Sequence, residues 1–513
     1  MDSNDDIIIT KETIRTDIVL SDSFEEKEEE KIETQSLKEE EEEEEQQQQE
    51  EQNLASSIEN NGIDINKQRN YKIWKKNSKI LYDYINTNNL KWPSLSINTL
   101  PYHNKVYNDR FYLITSFTSD QLPEDEKVLL TNMRTLNIPK SDLNCFEMEN
   151  MEFQVLKNSD VKLKKGQQQQ GISSKNINTT STTQIDSIKK YKPHHLQIEI
   201  EITYPDNEQC NRISVNLNNP DIFASASSKF GNIYIYDKTK CITTNSSVKN
   251  LMPTNYVINL NGFNEAEDVE VTSMQWNNLK EAELASGLTN GLLQIWDLKS
   301  IYNTERTTYT EPTAFTVVDD SGINDLSYMP DHDSIIAVGC ESLYLQLFDI
   351  RSQNIILKTL NKRTGNNSIN SLQFNPNNSN LIVTGSGDES GEINIHDIRR
   401  LDTPISTFNH SMGNENEFIS KNNSISKVQW NPFLPNILLS AGMEDGLIKI
   451  WDTATKEKEN NESRLIFTHG GHMLGITDCC WDLFDEWTIS SCSFDNSMHI
   501  WKPAKRMINE YFI

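Results

Sequence analysis

Residues 424–452 read SISKVQWNPFLPNILLSAGMEDGLIKIWD, and that stretch decides the architecture. An alternating segment through Val428 and Trp430 leads into a proline-containing turn at Pro432–Pro435 and then an apolar segment, Ile437–Ala441. Met443-Glu444-Asp445-Gly446 turns tightly into a third segment that ends in Trp451-Asp452. Period-two alternation bounded by Pro, Gly and Asp is the pattern of short strands joined by turns. A sheet this small cannot bury both of its faces alone, so it demands neighbours of its own kind.

The chain supplies them. Third strands close at Tyr236-Asp237, Trp296-Asp297, Phe348-Asp349, His396-Asp397, Trp451-Asp452 and Trp501-Lys502, at spacings of 60, 52, 48, 55 and 50 residues. The period of a WD repeat is about 40–45 residues, and loops such as 240–268 and 409–424 account for the excess. Residues 95–156 contain strand-like pieces at Phe111–Phe117, Lys127–Met133 and Met148–Val155, which read as a degenerate first unit. Six regular units and this one make seven, a closed number for a propeller. The expected fold is all-β, a seven-bladed WD-repeat β-propeller over residues 91–513.

What precedes the repeats differs in kind. Residues 1–69 read as a disordered acidic tail: 25–51 alone hold 15 Glu and 3 Lys, in a chain of net charge −28. Such a run repels itself and contains nothing that can build a core. Residues 70–90 follow with apolar positions near helical spacing, at Ile73 or Trp74, Ile80, Leu81, Tyr84 and Ile85, and lysines between them. The spacing predicts an amphipathic helix within 70–90, whose continuation Asn86–Asn89 and then Trp92-Pro93-Ser94 forbid. Residues 157–192, rich in Lys, Gln, Ser, Thr and Asn, read as a low-complexity insert loop.

Composition narrows the function. Surplus negative charge disfavours direct nucleic-acid binding and favours basic protein partners. No apolar run is long enough for a membrane span. The seven cysteines are scattered, and Cys479-Cys480 on a strand would point to opposite faces, unable to chelate one ion. His469-Gly470-Gly471-His472 has the look of a metal pair, but a histidine ahead of a first strand serves its own blade. His472 would bond to Ser490 or Ser491, Asp495 and Trp501, and Asp445 and Trp451 would brace the preceding blade in the same way. With no phosphate loop, nucleophile elbow or zinc spacing, the sequence predicts no catalytic, cofactor or metal site. It reads as a binding scaffold.

The segment YKIWKKNSKILYDYINTNNLKWPSL (71–95), with CNR at 210–212 and HGGH at 469–472, resembles the retinoblastoma-binding type of histone-binding WD proteins. That family supplies subunits to chromatin assembly factor 1, to type B histone acetyltransferase and to deacetylase complexes. FTSDQLPEDEK (117–127), FEMENMEF (146–153), NPDIFASASS (219–228), THGGHMLG (468–475) and HIWKPA (499–504) are more similar to the fungal small subunit of chromatin assembly factor 1 than to its acetyltransferase paralogue.

The resemblance implies a non-enzymatic carrier of histones H3–H4, in the nucleus with some cytoplasm, held by larger subunits of a chromatin assembly complex. It implies that a helix of histone H4 lies between the N-terminal helix and a loop of the penultimate repeat. The wall would be Ile80, Leu81, Tyr84 and Ile85 facing Leu465, Ile466 and Phe467, with Glu457, Glu459 and Glu462 meeting basic side chains. An H3-tail face would use Asn211, Glu270 and Glu341; Lys91, Thr272, Asn324, Ser426 and Phe494 depart from the family's pattern there. A rival from another class is a substrate receptor of a cullin ubiquitin ligase, on the Asp-x-Arg motifs Asp349-Ile350-Arg351 and Asp397-Ile398-Arg399.

Overall fold

The computed structural model describes residues 65–104, 109–118, 126–134, 146–147, 152–153, 196–204, 208–228, 231–240, 249–250, 255–257, 269–302, 307–342, 344–360, 368–401, 403–411, 423–454 and 464–511. The acidic run at 25–51, the insert at 157–192 and the three glutamates at 457, 459 and 462 lie outside them. The chain divides into two compact units at Arg69/Asn70. The second contains seven consecutive blades.

Blade 1 is built from Ile97–Asn104, Asp109–Ser116, Lys127–Arg134 and Gln197–Thr203. Its fourth strand therefore comes after the insert, whereas the sequence reading ends this unit near residue 155. The segment 146–153 instead forms a separate two-stranded pairing, Phe146–Glu147 with Glu152–Phe153. Blades 2 to 7 start at Cys210–Val215, Val271–Trp276, Ile323–Tyr328, Ile369–Asn375, Ile425–Trp430 and Ile476–Trp481. The paired residues at 236–237, 296–297, 348–349, 396–397 and 451–452 each finish a third strand, and Trp501-Lys502 lies within one, as the repeat spacing requires.

A helix, α1, spans Ile65–Leu81. It stops at Leu81, well short of residue 90. Tyr82–Asn89 is instead the fourth strand of blade 7, antiparallel to Ser497–Pro503 with Ile85 opposite Trp501 and Thr87 opposite His499. Tyr84 and Ile85 thus sit on a strand. Apolar residues spaced at 80, 81, 84 and 85 suit either state, and the open edge of the last sheet settles it by offering a ladder of hydrogen bonds. This pairing also joins the N-terminal side of the propeller to its last blade and makes Tyr82–Asn89 the outer strand of that sheet.

Adjacent blades are fastened by a repeated device. In five of the seven blades (2, 3, 5, 6 and 7) the first strand is followed by, or ends on, Asn216, Asn277, Asn375, Asn431 or Asp482, whose side-chain oxygen accepts the backbone N–H groups two and three residues on. Three of these amides also donate to the following repeats: Asn277 to the Asp333 carbonyl, Asn375 to Pro435 and Asn431 to Glu486. Around the central channel, Asp325 accepts from Ser273 of blade 3 and from Ser371 and the Leu372 amide of blade 5. Asp478 accepts the Ile97 amide and so ties blade 7 to blade 1. Cys479 packs between blades 6 and 7 and Cys480 between 7 and 1.

Blade 5 has an oddity with a measurable consequence. His396 replaces the tryptophan found in blades 3, 6 and 7; it is buried, and its Nδ1 has no hydrogen-bond partner among the described residues. Burial pushes the imidazole pKa down from 6.5 to about 4. The fold thus holds a neutral ring that the unfolded chain protonates near pH 6.5. Stability is unaffected above that pH and falls as pH drops through it toward 4. His396→Phe is expected to remove this part of the acid sensitivity. Urea unfolding from pH 7 to 4 should show the variant gaining about 3 kcal/mol on the wild type; parallel pH profiles would refute the assignment.

Candidate functional site

The elements around α1 define the site. Tyr71, Trp74, Ser78 and Leu81 form its inward seam, at the three- and four-residue steps of a helix, and Trp74 and Ser78 are buried. Lys72, Ile73, Lys76, Asn77 and Ile80 face solvent. Trp74 is the anchor. Its Nε1–H donates to the Tyr82 hydroxyl at 2.7 Å, which in turn donates to His469 Nδ1 at 2.7 Å. His469 must then carry its proton on Nε2, where it faces His499 Nδ1 at 3.1 Å. Burial, with His499 and His472 close by, holds the His469 pKa well below the ordinary histidine range. A Cβ on Gly471 would stand 2.6 Å from Trp74 Cζ2, so glycine there is what admits the indole.

The end of α1 is also fixed. Arg506 donates from Nη2 to the Ile80 carbonyl at 2.6 Å, a cation at the negative end of the helix. The C-terminal helix α2, Lys505–Tyr511, is capped in return by Asp83, whose carboxylate accepts the Lys505 amide.

His469, His472 and His499 bring ring nitrogens within 4.8 Å of one another. The donor set does not suit a metal, because both nitrogens of His469 and both of His472 already have hydrogen-bond partners. His472 bonds Ser491 and Ser497, Trp501 donates to Ser491, and Asp495 lies 3.8 Å from His472. Burial pushes the Asp495 carboxyl up, but His472, Ser497 and the Met473 amide outweigh it and hold it well below the usual range. Blade 6 repeats the arrangement with Trp451, Ser440, His410 and Asp445. Gly446, at φ +72°, closes that turn; a Cβ there would stand 2.5 Å from the Leu474 carbonyl oxygen.

The expected apolar wall divides by burial. Ile80 is 49% exposed and Leu81, Tyr84 and Leu465 are half-buried, whereas Ile85, Ile466 and Phe467 lie in the core shared by blades 6 and 7. The Phe467 ring stands edge-on to Tyr82 and stacks on Trp501. Ile73, the alternative to Trp74 in the helical spacing, is the second exposed apolar residue of α1, also at 49%. Positions 73 and 80 are seven apart, two helical turns, and so share a face. The signal is in the spacing, but choosing between neighbours 73 and 74 needs the location of the propeller.

On the face where first strands begin, Asn211 donates to Glu270 at 2.8 Å and Asn324 to Glu341 at 2.7 Å. Arg351 and Arg399 each fold back on the aspartate two residues earlier, so the Asp-x-Arg motifs brace their own turns.

Comparison with known proteins bears on these surfaces. The family of the histone-binding protein RBBP4, which is also that of a CAF1-complex subunit, matches residues 69–137. The WD domain, G-beta repeat, matches 356–397, 414–452 and 463–502. The histone-binding protein MSI1 of Saccharomyces cerevisiae is 36% identical over 463 residues, 88% of this chain and 97% of the relative. Histone acetyltransferase type B subunit 2 is 24% identical in Debaryomyces hansenii, over 86% of this chain and 91% of the relative. The Candida glabrata protein of that name is also 24% identical, over 85% and 88%.

Proposed function

The chain belongs to the histone-binding WD40 family of RBBP4 and MSI1, and from that premise we propose that it carries histones H3–H4 as a non-enzymatic subunit of a nuclear chromatin assembly complex. The observation that carries the reading is the outward face of α1. Ile73 and Ile80 are held in solvent by a helix whose opposite side is pinned through Trp74. An amphipathic partner helix, the H4 helix, would lay its apolar side on them and on the part of Leu81 that the inward seam leaves exposed. Lys72 and Lys76 on the same face repel a basic partner, so the attraction is apolar, and Glu457, Glu459 and Glu462 would supply the compensating charge. Asn211, Glu270 and Glu341 are proposed as a secondary contact for the H3 tail.

The identity of 36% to MSI1 against 24% to the type B acetyltransferase subunits favours the assembly complex. Affinity purification distinguishes the two by which large subunit accompanies the chain.

Ile73→Asp with Ile80→Asp tests the groove. Burying each isoleucine is worth roughly 1.5–3 kcal/mol, so an H4-helix peptide should bind about a hundredfold more weakly. The melting temperature should not move, because neither side chain is in the core. Wild-type affinity in the double variant would sink the assignment.

A further inference from the structure

The propeller finishes the outer edges of its early blades with strands borrowed from their neighbours. Lys249–Asn250 adds in parallel to Gln197–Thr203 at the edge of blade 1, and Thr307–Tyr309 adds in parallel to Asn255–Val257 at the edge of blade 2. Each added strand comes from the connection between the third and fourth strands of the following blade. Blade 4 receives none among the described residues. At the start of the corresponding connection of blade 5, Asp397 forms a bridge with Arg400.

What blade 4 leaves open is long and apolar. Its outer strand, Asn354–Leu360, has Ile355, Ile356 and Leu357 at 39%, 47% and 42% exposure. Phe348 pairs with Ile355 and Leu347 with Leu357, so Ile356 is the extra residue of a bulge. A bulge hinders indiscriminate edge-to-edge pairing without removing the apolar surface. Charge is distinctive too. From Arg351 to Arg363 the sequence has four basic residues and no acid, in a chain of net charge −28. Asp349 neutralises Arg351, whereas Lys358 is exposed on the strand, with Nζ 3.8 Å from the Tyr344 ring centroid.

We propose that the outer edge of blade 4 is a docking site that accepts an added β-strand from another protein, an extended segment with apolar side chains at alternate positions and carboxylates between them. Backbone groups of Asn354–Leu360 supply the ladder, Ile355, Ile356 and Leu357 supply the apolar contacts, and Lys358 selects acid over base. A second copy of this chain fits poorly, since edge pairing would set two basic runs against each other.

The test uses the full-length protein and two probes, acetyl-Glu-Val-Glu-Ile-Glu-Val-Glu-amide and its counterpart with lysine for every glutamate. Fluorescence anisotropy should show the acidic peptide binding about tenfold or more tighter than the basic one, and Lys358→Glu should weaken it several-fold at an unchanged melting temperature. Amide exchange on the wild-type protein, which needs no variant, should slow at 354–360 when the acidic peptide is added. Binding without that protection, or equal affinity for the two peptides, overturns the proposal. Protection that rises with protein concentration in the absence of peptide would assign the edge to a second copy and also overturn it.

Discussion

Arg110→Ala is expected to cost about 3–5 kcal/mol of folding stability, more than a typical core truncation, because it strands a buried carboxylate. Arg110 Nε lies 2.7 Å from Asp482 Oδ2, with the residues 6% and 0% exposed, and its guanidinium lies over the Phe484 ring. The pair joins blade 1 to the first turn of blade 7. Burial pushes the Asp482 pKa up and Arg110 pulls it back. Removing the cation raises it further, so the unfolded chain loses its proton at a lower pH than the fold does. The deficit of Arg110→Ala should therefore be small near pH 4 and complete once pH exceeds the raised folded value.

A rescue variant separates charge from shape. Four other blades carry asparagine where blade 7 has Asp482, and all five cap the turn through a side-chain oxygen. Arg110→Met with Asp482→Asn keeps the cap and removes the unpaired charge. Urea unfolding of the double variant should recover most of the loss. If it is as unstable as Arg110→Ala, the lost packing on Phe484, and not the stranded charge, is the cause.

Phe467→Ala is the second large effect, also about 3–5 kcal/mol. Family resemblance assigns Phe467 to the histone-facing wall, which predicts weaker histone binding on an intact fold. The structure reverses the order. At 4% exposure, against Tyr82 and Trp501, the ring joins the closing strand to blades 6 and 7, so its loss opens a cavity under the base of α1. The melting temperature should fall first, and histone affinity only as Trp74 and Tyr82 lose their seat. An unchanged melting temperature with lost H4 binding would return Phe467 to the groove.

The repeated part of this protein is legible residue by residue along the chain. Alternation with period two, turn residues at fixed offsets and an aromatic-Asp close are local properties, written in each blade whatever its neighbours do. They carried the seven-bladed fold and the third-strand ends. Ser491 as a partner of His472 belongs to the same repeat, whereas Trp501 bonds Ser491 and the second partner of His472 is Ser497. Where α1 ends depends on long-range packing, since Tyr82–Asn89 has the composition of either state and is drawn into a strand by Ser497–Pro503. The same packing decides that Trp74 turns inward and Ile73 outward, that Phe467 is core, and that Arg110 meets Asp482, 372 residues away in the chain. Arg110 with Asp482, Tyr82 with His469 and the strand Tyr82–Asn89 with Ser497–Pro503 are contacts between the two ends of a closed ring, and no window of sequence contains both partners, so ring closure had to bring them together.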